Sequence, residues 1–146
     1  MREDGGAIPA PLILDASVLI AVARGDAGIM TLIQGYDADG QPMVIPAMAV
    51  TAALLDRPGA DAEALLHGLE RMENVMVAPV RDVDQAARLA AVISTTGLDP
   101  CDAHVAAVAD ASVCAILTLD GAKWQEHARD LDELLHYIEI TDPDDE

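Results

Sequence analysis

Short runs of consecutive apolar residues alternate along the chain with longer stretches in which apolar positions return every three or four residues. A short continuous run fits a strand buried on both faces, and the longer spacing fits a helix with one face on a core. The first strand is "PLILD" (11–15), and "ASVLIAVARG" after it has helical spacing with Gly25 as a stop. A short helix follows over 27–35, then a polar loop "YDADGQP", a strand "MVIP" and a helix "AMAVTAALLD" that "RPG" ends. "ADAEALLHGLERME" reads as a helix, "NVMVAP" as a strand, and "VDQAARLAAVISTTG" as a helix closed by Gly97. "LDPCDAHVAAVADAS" opens with an Asp-Pro loop and continues as an Ala- and Val-rich helix. "VCAILTLD" is an apolar strand ending on a carboxylate, and "LLHYIEI" is a last strand.

Strands alternating with helices predict an α/β domain with a central, mainly parallel, twisted sheet and helices on both faces. One domain is expected over 1–146, with a core from about 11 to 141 and disordered acidic ends at 1–8 and 142–146. Composition makes that core aliphatic, because the 52% hydrophobic fraction includes no Phe, one Trp and two Tyr. No apolar run reaches the roughly 18 residues that span a bilayer, and "MREDGG" is acidic where a signal peptide is basic, so a cytoplasmic protein without membrane attachment is expected. Cys101 and Cys114 form no CxxC pair, which argues for reduced thiols and against a zinc site.

Eight basic against 26 acidic residues give a formal charge of −18. Nucleic-acid binders draw affinity from Lys and Arg on phosphates, so long-range attraction to RNA is not expected and DNA is a poor partner. The charge suits multivalent cations, a basic partner protein or simply a solvated surface.

Against that background the placement of three acids matters. Asp15 and Asp120 each end a predicted strand, at the sheet edge where open α/β folds bind ligands. Asp102 lies near the start of the helix that precedes the Asp120 strand, which brings it to the same edge. Two carboxylates about 5 Å apart at an effective dielectric near 20 repel by roughly 3 kcal/mol, so convergence calls for a cation or a proton. An all-oxygen set without Cys or His suits Mg²⁺ or Mn²⁺, ions that activate water at a phosphodiester. Local alternatives stay open: Asp15 and Asp99 fit helix N-caps, and Asp120 before Gly121 fits a turn. His104 fits a partly buried histidine, and Trp124 a packing anchor.

The stretches "LILDASVLIAVARGD", "DPCDAHVAAVAD" and "ILTLD", in that order on a βα frame, resemble the PIN domain family, and within it the VapC-type toxin ribonucleases of toxin–antitoxin pairs. The resemblance implies a three-layer sandwich in which Asp15, Asp102 and Asp120 are the catalytic, metal-binding acids. Ser17 and Thr118 match the small hydroxyl residues behind them. Active relatives carry a glutamate on the helix after the second strand, and this chain has Ala52 there; Asp56 and Asp99 are the remaining acids that could assist. By resemblance the chain is expected to be a Mg- or Mn-dependent endoribonuclease, weakened or inactive for want of that glutamate. A non-catalytic PIN-fold interaction module is the alternative. Implied partners are an antitoxin-like protein with a basic or amphipathic segment, RNA if the site is active, and a second copy in a homodimer.

Overall fold

The computed structural model describes residues 9–131 and 134–141, and the acidic ends expected to be disordered lie outside them. Along the chain run β1 (Leu12–Leu14), α1 (Ala16–Ala23), α2 (Ala27–Ala38), β2 (Met43–Pro46), α3 (Ala47–Asp56) and α4 (Ala60–Glu70). Then come β3 (Val75–Ala78), α5 (Val83–Thr96), α6 (Pro100–Ser112), β4 (Ile116–Thr118), α7 (Gly121–His127) and β5 (Tyr137–Glu139).

The five strands form one sheet in the order β3-β2-β1-β4-β5, and every neighbouring pair is parallel. Parallel neighbours need crossovers, and the helices that supply them cover the sheet as a three-layer α/β sandwich. β1 is the central strand and Leu12, Ile13 and Leu14 are all buried, which is why its sequence is a continuous apolar run. The chain steps outward from β1 through β2 to β3, then returns to place β4 and β5 on the other flank. The order therefore reverses between β1 and β4, and crevices at such reversals are where doubly wound sheets hold their sites.

Helix starts follow a common chemistry. Asp15, Asp26, Asp82, Asp99 and Asp120 cap α1, α2, α5, α6 and α7, each carboxylate accepting from backbone N–H groups of the first turn. Such acceptors satisfy donors that have no intrahelical partner and sit at the positive end of the helix dipole. α3 begins instead at Pro46, which has no side-chain acceptor, and His104 on α6 fills the role: its Nδ1 accepts from the Met48 N–H at 3.3 Å.

Four elements differ most from the sequence expectation. α2 continues to Ala38 through part of the anticipated polar loop, because Tyr36 packs on the core and Asp37 accepts from Asn74 N at 2.9 Å and Nδ2 at 3.1 Å. The last two strands are shorter, Ile116–Thr118 and Tyr137–Glu139, and Val113 belongs to the end of α6. An unanticipated helix, α7, follows Asp120 and buries Trp124 completely, the largest side chain in an otherwise aliphatic core. Among the described residues no single helix is long and apolar enough to cross a membrane.

Candidate functional site

Asp15 stands at the end of β1 and is fully buried. Its Oδ1 accepts from Ser17 Oγ at 2.5 Å and from the Val18 N–H at 3.2 Å, and its Oδ2 accepts from Trp124 Nε1–H at 2.8 Å. A buried carboxylate needs such donors, because removal from water otherwise costs several kcal/mol. Both Asp15 oxygens are thus engaged by groups inside the fold.

Ser17 and Thr118 link the two strands on either side of the order reversal. Ser17 Oγ accepts from the Leu119 N–H at 2.9 Å and lies 3.4 Å from Thr118 Oγ1, which accepts from the Asp120 N–H at 2.8 Å. The two hydroxyls hold the ends of β1 and β4 together and set where Asp15 and Asp120 stand.

Asp102, in the first turn of α6, is 8% exposed. Its partner is Lys123 on α7, whose Nζ lies 3.1 Å from both carboxylate oxygens. Burial pushes the Asp102 carboxyl up from its ordinary value; Lys123 pulls it down without cancelling that, and Asp99 adds to the rise. Burial also draws the Lys123 ammonium down, but the charge and hydrogen bond of Asp102, with Asp15 and Asp120 behind them, carry it above the ordinary lysine value. Loss of water prevails at one partner and attraction at the other because the two ends differ in wetness, with side chains 26% exposed for Lys123 and 11% for Asp102. Contact with both oxygens is the geometry of an ionised carboxylate.

The other acids do different work. Asp120 is exposed and caps α7, accepting from the Lys123 N–H at 3.3 Å. Asp99 is the cap of α6, accepting from the N–H groups of Cys101 at 2.8 Å and Asp102 at 3.0 Å. Asp56 is directed elsewhere: both its oxygens accept from Arg24, at 3.1 Å from Nε and Nη2. Ala52 is half-buried on α3, which packs against both α1 and α6, and presents a methyl group where the resemblance calls for a carboxylate.

The three sequence-predicted acids therefore share one edge without forming an oxygen cage. Among the described residues no three Asp, Glu, His or Cys side chains are arranged to hold a metal ion. The donor set explains this: Asp15 is satisfied by protein hydrogens, Asp102 faces an ammonium, and Asp120 serves its helix. As arranged, these residues do not fit a divalent ion.

An α/β domain with acids at the reversal point of a parallel sheet is the class this architecture defines. The family model of the PIN domain matches residues 12–130, and the chain belongs to that family, whose members are generally divalent-metal dependent. A chain from the structure of VapBC2 from Rickettsia felis, bound to a DNA fragment from their promoter, superposes with a TM-score of 0.61 over 87% of this chain and 98% of its own, at 10% identity. At that identity the likeness is one of fold. No curated protein matches significantly.

Sequence reasoning passed over Lys123, and over Trp124 as a donor. A signal for the first exists: Lys123 is the only lysine among 26 acidic residues, and it stands three positions after a strand-ending aspartate. Trp124, expected as a packing anchor, is one, and it is also the donor to Asp15.

Proposed function

We propose that this chain is the toxin-type half of an antitoxin-partnered pair, and that it works through protein–protein contact with its ribonuclease centre closed. The saturation of Asp15 carries this reading: a metal ion seeking that carboxylate has to displace Trp124 Nε1–H from Oδ2 or the Ser17 hydroxyl from Oδ1. Ala52 brings no carboxylate to compensate, and Asp56, the one acid on α3, is held by Arg24.

The partner side of the proposal draws support from a groove of about 270 Å³ between α3 and α4. Ile45, Val50, Leu54, Leu66 and Val77 supply its apolar lining, and Glu63 and Glu70 lie among its lining residues. An amphipathic segment with basic flanks suits such a surface, since apolar anchors supply affinity and opposite charge speeds encounter. The similarity to a VapBC pair favours an antitoxin-like protein as the source of that segment.

A second reading, a weakened Mg²⁺- or Mn²⁺-dependent endoribonuclease, is favoured by the shared edge of Asp15, Asp102 and Asp120. Incubation of RNA with the protein and Mn²⁺, beside the Asp102→Asn variant, separates the two. No difference between wild type and variant is expected. Cleavage that disappears with Asp102→Asn establishes the second reading. For the partner, co-purification with the product of the adjacent reading frame is expected, and loss of that complex in Leu54→Glu with the fold intact; retention of the complex would move the docking site away from this groove.

A further inference from the structure

We propose that the Lys123 ammonium is the resident cation of the acidic centre, held against Asp102 where the family's chemistry calls for a divalent metal, with Trp124 holding the neighbouring Asp15. The inference rests on the closed-centre reading and adds the agent of closure.

The position of Lys123 is the first argument. Asp120 caps α7, so Lys123 is the third residue of the first turn. Local physics disfavours a cation there: the positive end of the helix dipole repels it by about 0.3–1 kcal/mol, and glutamate or glutamine is the common choice. A residue that contradicts local preference needs a tertiary reason. Here that reason is Asp102, 21 positions away, with both oxygens 3.1 Å from Nζ.

Residue type is the second. Every other cation in the lysine and arginine set of this chain is an arginine, seven of eight, and the one lysine stands at the acidic centre. An ammonium is a compact point charge on a flexible stem, whereas a guanidinium is a planar fork. A compact charge is the better stand-in for a metal ion. The stem is held at its base: Trp124 is completely buried, donates to Asp15, and its ring centroid lies 5.8 Å from Nζ, within reach of a cation–π attraction.

Charge is the third. Four carboxylates with one divalent ion leave a formal charge of −2. With Ala52 in place of the glutamate, three carboxylates and one ammonium also leave −2. Losing an acid and exchanging a divalent for a monovalent cation are compensating changes, so Ala52 and Lys123 belong to one substitution in electrostatic terms. This ties together two residues on α3 and α7 that no local signal connects.

The test is a cation titration at constant ionic strength. Calorimetry and thermal unfolding with Mn²⁺ and Mg²⁺ are run on wild type, Lys123→Met, Ala52→Glu and the double variant. Wild type is expected to show no saturable shift. Lys123→Met is expected to be less stable and to be rescued by Mn²⁺, with affinity at least about tenfold above wild type, the scale on which changes around a metal site act. The double variant should bind more tightly still, beyond the sum of the single effects. Saturable Mn²⁺ binding by wild type that equals Lys123→Met and is lost in Asp102→Asn overturns the inference, as does a folded Lys123→Met that gains nothing. That second outcome leaves the closed-centre reading standing, whereas RNA cleavage by wild type removes that reading itself. Should Lys123→Met not fold, the single lysine allows a direct measurement on wild type. Amine acylation followed by mass spectrometry is expected to modify Lys123 several-fold more slowly than in Asp102→Asn, and equal rates in the two overturn the proposal.

Discussion

Asp15 shows how one buried carboxylate shapes its neighbours. Its charge is tolerated because Ser17, Val18 and Trp124 each contribute a hydrogen. Trp124→Phe keeps most of the ring packing and removes only the Nε1–H, leaving Oδ2 buried without a donor. A loss of about 1–3 kcal/mol is expected, the usual cost of stranding a buried polar group, read as a lower urea midpoint at unchanged slope. Ser17→Ala removes a donor to Asp15 and an acceptor from the Leu119 N–H, with a similar expected loss. Because both variants act through Asp15, the double variant should fall short of or exceed the sum by more than about 0.5 kcal/mol; strict additivity would mean that the carboxylate does not couple them. The acceptors of this network were legible in the sequence, since a carboxylate ending an apolar run stands out. The donors were not. Trp124 meets Asp15 across 109 residues, and hydrophobic patterning carries no information on which indole faces which oxygen.

At the level of elements, the strands were the easier part. Buried parallel strands announce themselves as short aliphatic runs, and all five were anticipated, with β4 and β5 shorter than expected. α7 escaped because "GAKWQEH" offers one large apolar residue and no repeat, and its helix depends on the burial of Trp124. α3 shows the reverse dependence, an expected helix whose start relies on a residue 56 positions away. His104 can accept from the Met48 N–H only while Nδ1 is unprotonated, and it is 4% exposed. Burial lowers its pKa from the ordinary value near 6.5, and the Pro79 carbonyl offsets this only in part. A depressed folded pKa stabilises the protein above the unfolded value, and that contribution is lost as pH falls from about 6.5 through the lower folded value. Wild type should therefore lose stability over that window more steeply than His104→Gln, which keeps an acceptor but does not titrate; parallel curves would show that the fold does not depress the His104 pKa. At the other end of α6 the cap is Val113 at φ 54°, a left-handed conformation that a β-branched residue adopts only under strain. Its side chain is 66% exposed and has little packing to lose. Val113→Asn should stabilise the fold by about 0.5–1 kcal/mol, measured by urea denaturation, and a destabilised variant would show that the valine contributes packing after all.

Across the whole molecule the formal charge of −18 sets a background that every local interaction meets. Part of it is put to use: among the described residues five acids cap helices, where the dipole and the free N–H groups favour them. Few pairs offset the rest. Arg24 with Asp56 and Lys123 with Asp102 are the ion pairs among the described residues that do not depend on a protonated histidine. Self-repulsion on that scale destabilises a compact state and is screened by salt, the Debye length falling from about 30 Å at 0.01 M to about 3 Å at 1 M. Thermal unfolding in NaCl across that range should show a midpoint rising by about 4–8 °C, the response to about 2 kcal/mol of relieved repulsion in a domain of this size. The rise should shrink as pH drops into the carboxylate range, because protonation removes the same repulsion that salt screens. A midpoint independent of salt at neutral pH would mean that the caps and ion pairs already balance the acids locally, and that the negative surface is dispersed too widely to act on the fold.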